Sequence, residues 1–226
     1  MKIRALLIFI LIISPSALAY KNFGFKEYGI AILPDTTCVE KATFLNKELS
    51  NKLNNFPNPA NQWHITLYHG AYGHDDLRQI TQKIKKLSIP EFNISFNKIY
   101  SKSGRWIVYG VDKSKELQKL HEEVVNLAMK YHKHPIARAK DIYNDAPKEI
   151  QNEIDTYGTT ELLAGYKPHM TLFYKYPSDE ALEEASSAIN HHAETTFTCK
   201  ADQIALGELG YNGNMIRIIY TKNIPN

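Results

Sequence analysis

Two short stretches of this chain carry residue types suited to acid and base chemistry: "HITLYHG" from His64 and "HMTLFYK" from His169, 105 positions apart. Each writes His, an apolar residue, Thr, Leu and an aromatic residue. Imidazole has an ordinary pKa close to neutrality, so one neutral ring can take a proton while a protonated partner gives one. A hydroxyl two residues further along a strand lies about 7 Å away on the same face and can hydrogen-bond an anionic oxygen. Alternation predicts His64, Thr66 and Tyr68 on one face of the first strand, and His169, Thr171 and Phe173 on one face of the second. Ile65, Leu67, Met170 and Leu172 then point the other way, under the helices of their own lobe. Two histidines and two threonines facing each other would cradle a tetrahedral phosphate, a scheme that requires neither metal nor cofactor. A single His-x-Thr strand carries little weight, because a lone His on a sheet face is more often packed or solvated. The pair in matching contexts is what points to function.

The elements that must position these residues are legible from periodicity. "YGIAIL" (28–33) predicts a strand, and Val39, Ala42, Leu45, Leu49 and Leu53 form one stripe of a helix over 36–53 that Thr36 or Thr37 can cap. A loop (54–62) leads into the first motif strand. A helix follows over about 75–87, then an alternating strand over 92–100. A strand at 105–111 opens a second pass, with a helix over about 114–131. A polar excursion over about 132–166 follows, in which "PKEIQNEIDTY" suggests a short helix. After the second motif strand come a helix (179–189), a strand (197–209), the turn "GYNGN" and a last strand (214–222). The order strand, helix, motif strand, helix, strand occurs twice, which is an internal duplication, and the excursion is an insertion in the second half alone. Two α/β lobes facing each other are expected.

Residues 1–19 read as a secretory signal peptide: basic Lys2 and Arg4, an apolar run from Ala5 to Ile13, then "SPSALA". That run is too short for a bilayer core. The expected mature chain, 20–226, is then periplasmic or secreted. The formal net charge of the 226-residue chain is +3 and becomes +1 without Lys2 and Arg4, so any nucleic-acid contact should be local. Cys38 and Cys199 allow a disulfide in an oxidising compartment or two separately buried thiols.

With "HITL" and "PHMTL" each on a strand of a duplicated α/β unit, the chain resembles the 2H phosphoesterase superfamily, which includes the LigT-like or 2′,5′ RNA ligase-like proteins and cyclic nucleotide phosphodiesterases. The resemblance implies an α/β (α+β) bilobal fold, with two antiparallel sheets facing across a central cleft and helices on the outside. It implies His64, Thr66, His169 and Thr171 lining that cleft. It also implies metal-independent cleavage of a 2′,3′-cyclic phosphate or 2′,5′ phosphodiester on a nucleotide or RNA end, with no cofactor. One His would act as base and the other as acid, with His64 taken as acid and His169 as base, and the Thr hydroxyls would hold nonbridging oxygens. The expected partner is a nucleotide or RNA-end substrate of a monomer with no stable membrane association after cleavage. The export signal and the insertion, long enough for a lid or specificity element, are unlike the cytosolic RNA-processing members.

Other residues carry alternatives. Tyr68 and Phe173 could stack a base or pack a lobe. Trp63 and Tyr174 read as core or edge residues. Lys102, Arg105, Lys167 and Lys175 could contact phosphate or simply face solvent. His69 and His74, with the pairs His132 and His134, and His191 and His192, raise metal binding, but no His-x-x-x-His helix and no carboxylate at recognised spacing accompanies them. A binding module without turnover and a metal-dependent hydrolase are the rival functions.

Overall fold

Each run of apolar alternation becomes a strand, and each 3.6-residue stripe a helix. The computed structural model describes residues 26–53, 62–133, 135–174, 179–192, 196–210 and 212–225; the expected signal peptide lies outside them. In chain order the elements are β1 (Lys26–Pro34), α1 (Thr36–Lys52), β2 (Ile65–Tyr72), α2 (His74–Lys86), β3 (Asn93–Lys102), β4 (Trp106–Val111), α3 (Lys115–Ala128), α4 (Ala137–Ile142), α5 (Lys148–Tyr157), β5 (His169–Tyr174), α6 (Asp179–His192), β6 (Phe197–Leu209) and β7 (Met215–Asn223). Among the described residues no helix is long and apolar enough to cross a membrane.

Asp35, rather than Thr36 or Thr37, caps α1: its carboxylate accepts from Cys38 N at 3.0 Å. The other carboxylate oxygen accepts from Lys200 N at 3.0 Å, and Cys38 is bonded to Cys199. The start of α1 is thereby stitched to β6. Ser114 caps α3 in the same manner, accepting from Leu117 N at 3.1 Å.

All strand pairs are antiparallel, in the order β1-β2-β5-β4-β3-β6-β7, with β6 pairing β1 as well. The two expected sheets are therefore joined into one hydrogen-bonded network. One lobe groups β2, β1, β6 and β7; the other groups β5, β4 and β3. The third strand of each half has been exchanged: β3 pairs with β4, and β6 with β1.

Helices are exchanged too, so that each lobe is built from both halves of the chain. Helix α1, from the first half, packs on β5, whereas α3, from the second, packs on β2. Helix α6 lies on β3 and β4. Each half sends its third strand to the other, and the apolar back of each motif strand is closed by a helix from the other half. The main core runs through both halves, from Ile30, Leu45 and Leu67 to Val124, Leu172 and Leu182, all essentially without solvent contact. Neither half can bury its apolar face alone.

Candidate functional site

The motif strands β2 and β5 meet at one registered pair, Ile65 with Met170, and diverge beyond it. Their polar faces open onto one cavity of about 930 Å³, its mouth included, and His64, Thr66, His169 and Thr171 all line it. The sequence-predicted quartet is brought together.

Both imidazoles are oriented in the same way. Nδ1 of His64 lies 2.8 Å from Gln62 O, and Nδ1 of His169 lies 2.8 Å from Lys167 O, in each case the carbonyl two residues earlier. A carbonyl only accepts, so each Nδ1 carries hydrogen and donates, leaving Nε2 as the nitrogen for proton exchange.

Beyond the threonines the alternation breaks, identically in both strands. Against β1, Thr66 pairs with Ala31 and Tyr68 with Ile30, so Leu67 is an extra residue. Against β4, Thr171 pairs with Val108 and Phe173 with Ile107, so Leu172 is extra. A bulge reverses the facing of all that follows. Phe173, expected in the cleft, is instead completely buried in the core. Tyr68 reaches the cavity wall but is 1% exposed, and its hydroxyl donates to Tyr157 O at 2.7 Å, so neither face is free to stack a base. The residue that the bulge turns toward the cavity is His69.

Each bulge is caught by the helix that crosses from the other half. Asn46 of α1 donates from Nδ2 to Leu172 O at 2.7 Å, and His121 of α3 donates from Nδ1 to Leu67 O at 2.6 Å. The other nitrogen of His121 accepts from Leu163 N at 2.8 Å, its ring stacks on Tyr166 at 3.8 Å, and the Tyr166 hydroxyl donates to Thr66 O at 2.8 Å. A half-buried amide and a buried imidazole thus fix the strand segments that carry the two threonines.

The surroundings of the two histidines differ. Both rings are half-buried. Burial, then the positive charge of Lys102, pushes the pKa of His169 down to about 3, opposed by the Lys167 carbonyl. Burial also lowers the pKa of His64, helped by His69 and Arg138, but two backbone hydrogen bonds, to Gln62 and Gly213, act to raise it. Lys102 is held by Glu161 at 2.5 Å, and Lys167 stands 3.9 Å from the same carboxylate. Glu161 and Leu163 adopt left-handed backbone, φ 60° and 52°, a strain on the order of 1–3 kcal/mol each that these contacts hold in place.

A second polar cluster borders the cavity beside His69. Arg138 pairs with Glu27, which is 2% exposed, and also reaches Nδ1 of His69 at 3.0 Å, while Thr159 bonds Nε2 of the same ring. Burial alone would raise the Glu27 pKa, but Arg138 and His69 outweigh it and hold it low. The Arg138 guanidinium also fits against Gly213, where a Cβ would come within 2.7 Å of it and where φ is +80°. None of Glu27, Arg138 and Thr159 carried a sequence signal. Only the register of β1 and the fold of the insertion bring them here.

Of the remaining candidates, Trp63 is buried, with its indole donating to Thr43 at 3.0 Å, and Tyr174 is half-buried. Lys175 and His134 fall outside the described residues. His74, His132 and His191 do not join the cavity lining. Among the described residues, the grouping of three metal-capable side chains is Asp35 with Cys38 and Cys199, whose sulfurs are already joined to each other.

The sequence profile of the 2′-5′ RNA ligase superfamily matches residues 47–210, from within α1 to the end of β6. The chain belongs to the 2′-5′ RNA ligase superfamily. This is the 2H phosphoesterase family that the two His-Thr strands resemble, and membership supports a phosphodiesterase-type role. Solved structures share the fold. The crystal structure of a phosphoesterase aligns with a TM-score of 0.53 at 10% identity, over 89% of this chain and 99% of that one. TT0787 of Thermus thermophilus aligns with a TM-score of 0.51 at 15% identity, over 88% and 97%. E. coli LigT complexed with 3′-AMP aligns with a TM-score of 0.51 at 11% identity, over 89% and 99%. At such identities the likeness speaks for the fold alone. The sequence finds no match among curated proteins.

Proposed function

We propose that this protein is a metal-independent phosphodiesterase that hydrolyses a 2′,3′-cyclic phosphate or a 2′,5′ phosphodiester of a nucleotide or RNA end. The observation that carries the reading is the convergence of two Nε2-presenting histidines and two threonines on one cavity. Neutral His169 takes a proton from water as the water oxygen attacks phosphorus. His64, in its protonated form, gives its proton to the departing ribose oxygen as the P–O bond breaks. Thr66 and Thr171 hydroxyls donate to the nonbridging oxygens where charge accumulates. The product is a phosphomonoester, and solvent restores the proton inventory by reprotonating His64 and deprotonating His169.

The division of roles follows from the surroundings. Burial and the Lys102 charge keep His169 in the neutral form in which a base must start, whereas burial lowers His64 too but its backbone hydrogen bonds to Gln62 and Gly213 favour the imidazolium in which an acid must start. A bound phosphate anion adds to the stabilisation of that imidazolium. LigT having been crystallised with 3′-AMP supports a nucleotide as the ligand class. The Cys38–Cys199 disulfide supports export to an oxidising compartment, as the signal-like residues 1–19 also suggest.

The test is hydrolysis of the four nucleoside 2′,3′-cyclic monophosphates in excess EDTA. Turnover that persists in chelator and collapses in both His64→Ala and His169→Ala is the expected result. Turnover that chelator abolishes, or that survives loss of His169, would overturn the reading.

A further inference from the structure

The insertion between α3 and β5 is a fixed wall of the cavity. It is pinned to β2 through Lys133 N to Ala71 O at 3.1 Å and Tyr68 to Tyr157, and to α3 through Leu163 to His121. Its own small core joins Ile136, Ala139 and Ile154 to Ala71 of β2, with Tyr143 and Ile150 packed against it. Rigid attachment at several separate points makes it a wall and argues against a flap.

Toward the cavity this wall presents the half-buried Ile142 and Tyr143, backed by the buried Ile136 and Ala139. The cavity lining is therefore of two chemical kinds. Its lining combines the histidines, the threonines and Lys102 with the apolar side chains and the Tyr143 ring of the insertion, and Arg138 and Thr159 bond His69 along the same wall. A nucleoside phosphate is likewise of two kinds, anionic at phosphorus and flat and apolar at the base. The two motif aromatics are not free for stacking, since Phe173 is in the core and Tyr68 is covered.

We propose that the insertion supplies the nucleobase subsite, in which Tyr143 stacks on the base beside Ile142, so that the substrate is a single nucleoside 2′,3′-cyclic phosphate or the terminal nucleoside of a short oligonucleotide. This inference rests on the paired-histidine reading of the same cavity. Base stacking on an aromatic side chain is worth about 1–3 kcal/mol, which corresponds to roughly 5- to 150-fold in kcat/KM.

The experiment compares adenosine 2′,3′-cyclic monophosphate with 1-O-methylribose 2,3-cyclic phosphate, which lacks a base, on the wild type, Tyr143→Ala and Tyr143→Phe. The wild type is expected to prefer the adenosine substrate at least tenfold. Tyr143→Ala should lose most of that preference through KM, with kcat/KM on the base-free diester unchanged, and Tyr143→Phe should retain it. A wild type without preference, or a Tyr143→Ala variant that keeps the preference or loses both substrates equally, overturns the inference and leaves the histidine mechanism standing. If the wild type turns over neither diester, the 2′,3′-cyclic phosphate is excluded as substrate and the paired-histidine reading passes to the 2′,5′ phosphodiester. The subsite is then read by calorimetric titration with 3′-AMP, where equal affinity of the wild type and Tyr143→Ala contradicts it and weaker binding by Tyr143→Ala alone supports it.

Discussion

The two motif strands are the same device built twice and then placed in different company. In both, a His donates to the carbonyl two residues before it at 2.8 Å, a Thr follows on the same face, and a bulged Leu presents its carbonyl to a side chain from the opposite half. Around β5, however, Lys102 stands near the His, and α1 is stitched to β6 by a disulfide. Around β2 the insertion closes in, His69 extends the polar face, and α3 has no comparable stitch. Duplication supplies matched geometry, and the unmatched neighbours give the two rings different electrostatic surroundings, on which the proposed acid and base roles rest.

That comparison can be broken most forcefully at the histidines. His64→Ala and His169→Ala should each lower kcat by about 10²- to 10⁴-fold, and the double variant should be scarcely worse than either, because a paired mechanism fails once one member is gone. Additive losses in steady-state kinetics would separate the two rings. The stitch on one side comes next. Removing a disulfide that closes a loop of 161 residues should cost about 4–5 kcal/mol in the chain-entropy account. Hydrogen exchange on Cys38→Ser/Cys199→Ser should then accelerate in α1 more than in α3.

Smaller effects sharpen the symmetry. Thr66→Val and Thr171→Val should reduce kcat by about 10²-fold each, with nearly equal losses if both hydroxyls serve one phosphate. Asn46→Ala and His121→Ala each leave a bulge carbonyl without its partner, a cost of about 1–3 kcal/mol in denaturant unfolding. The His121 variant should fall at the higher end, since its ring is fully buried and stacked on Tyr166. Least in size, Lys102→Met should move the acidic limb of the kcat/KM profile to higher pH by letting the His169 pKa rise, and leave the limb belonging to His64 in place.

Strands and helices were legible because their apolar spacing is local: the stripe Ala42, Leu45, Leu49 and the alternation of "HITL" require no partner to be recognised. The facing of Phe173 and His69 was not legible, because a bulge is a property of two strands in register, and nothing near Leu67 or Leu172 announces the mismatch. Asn46 and His121 read as ordinary helix residues until the exchange of helices brings each to the other half's strand. Glu27 lies at the start of a strand, and its partner Arg138 lies 111 positions away, beyond any periodic signal. The candidate site was legible in the twin motifs; how the motifs are held lies in contacts between halves.

The most direct test of the division of labour is kcat/KM against pH for the wild type, His64→Ala and His169→Ala on one 2′,3′-cyclic mononucleotide. The wild-type profile should rise as pH passes about 3, where His169 loses its proton, and fall again as His64 loses its own below the ordinary 6.5. His169→Ala should abolish the rise, and His64→Ala should abolish the fall. If His64→Ala instead removes the acidic limb and His169→Ala the alkaline one, the roles are reversed and the assignment of acid and base is contradicted.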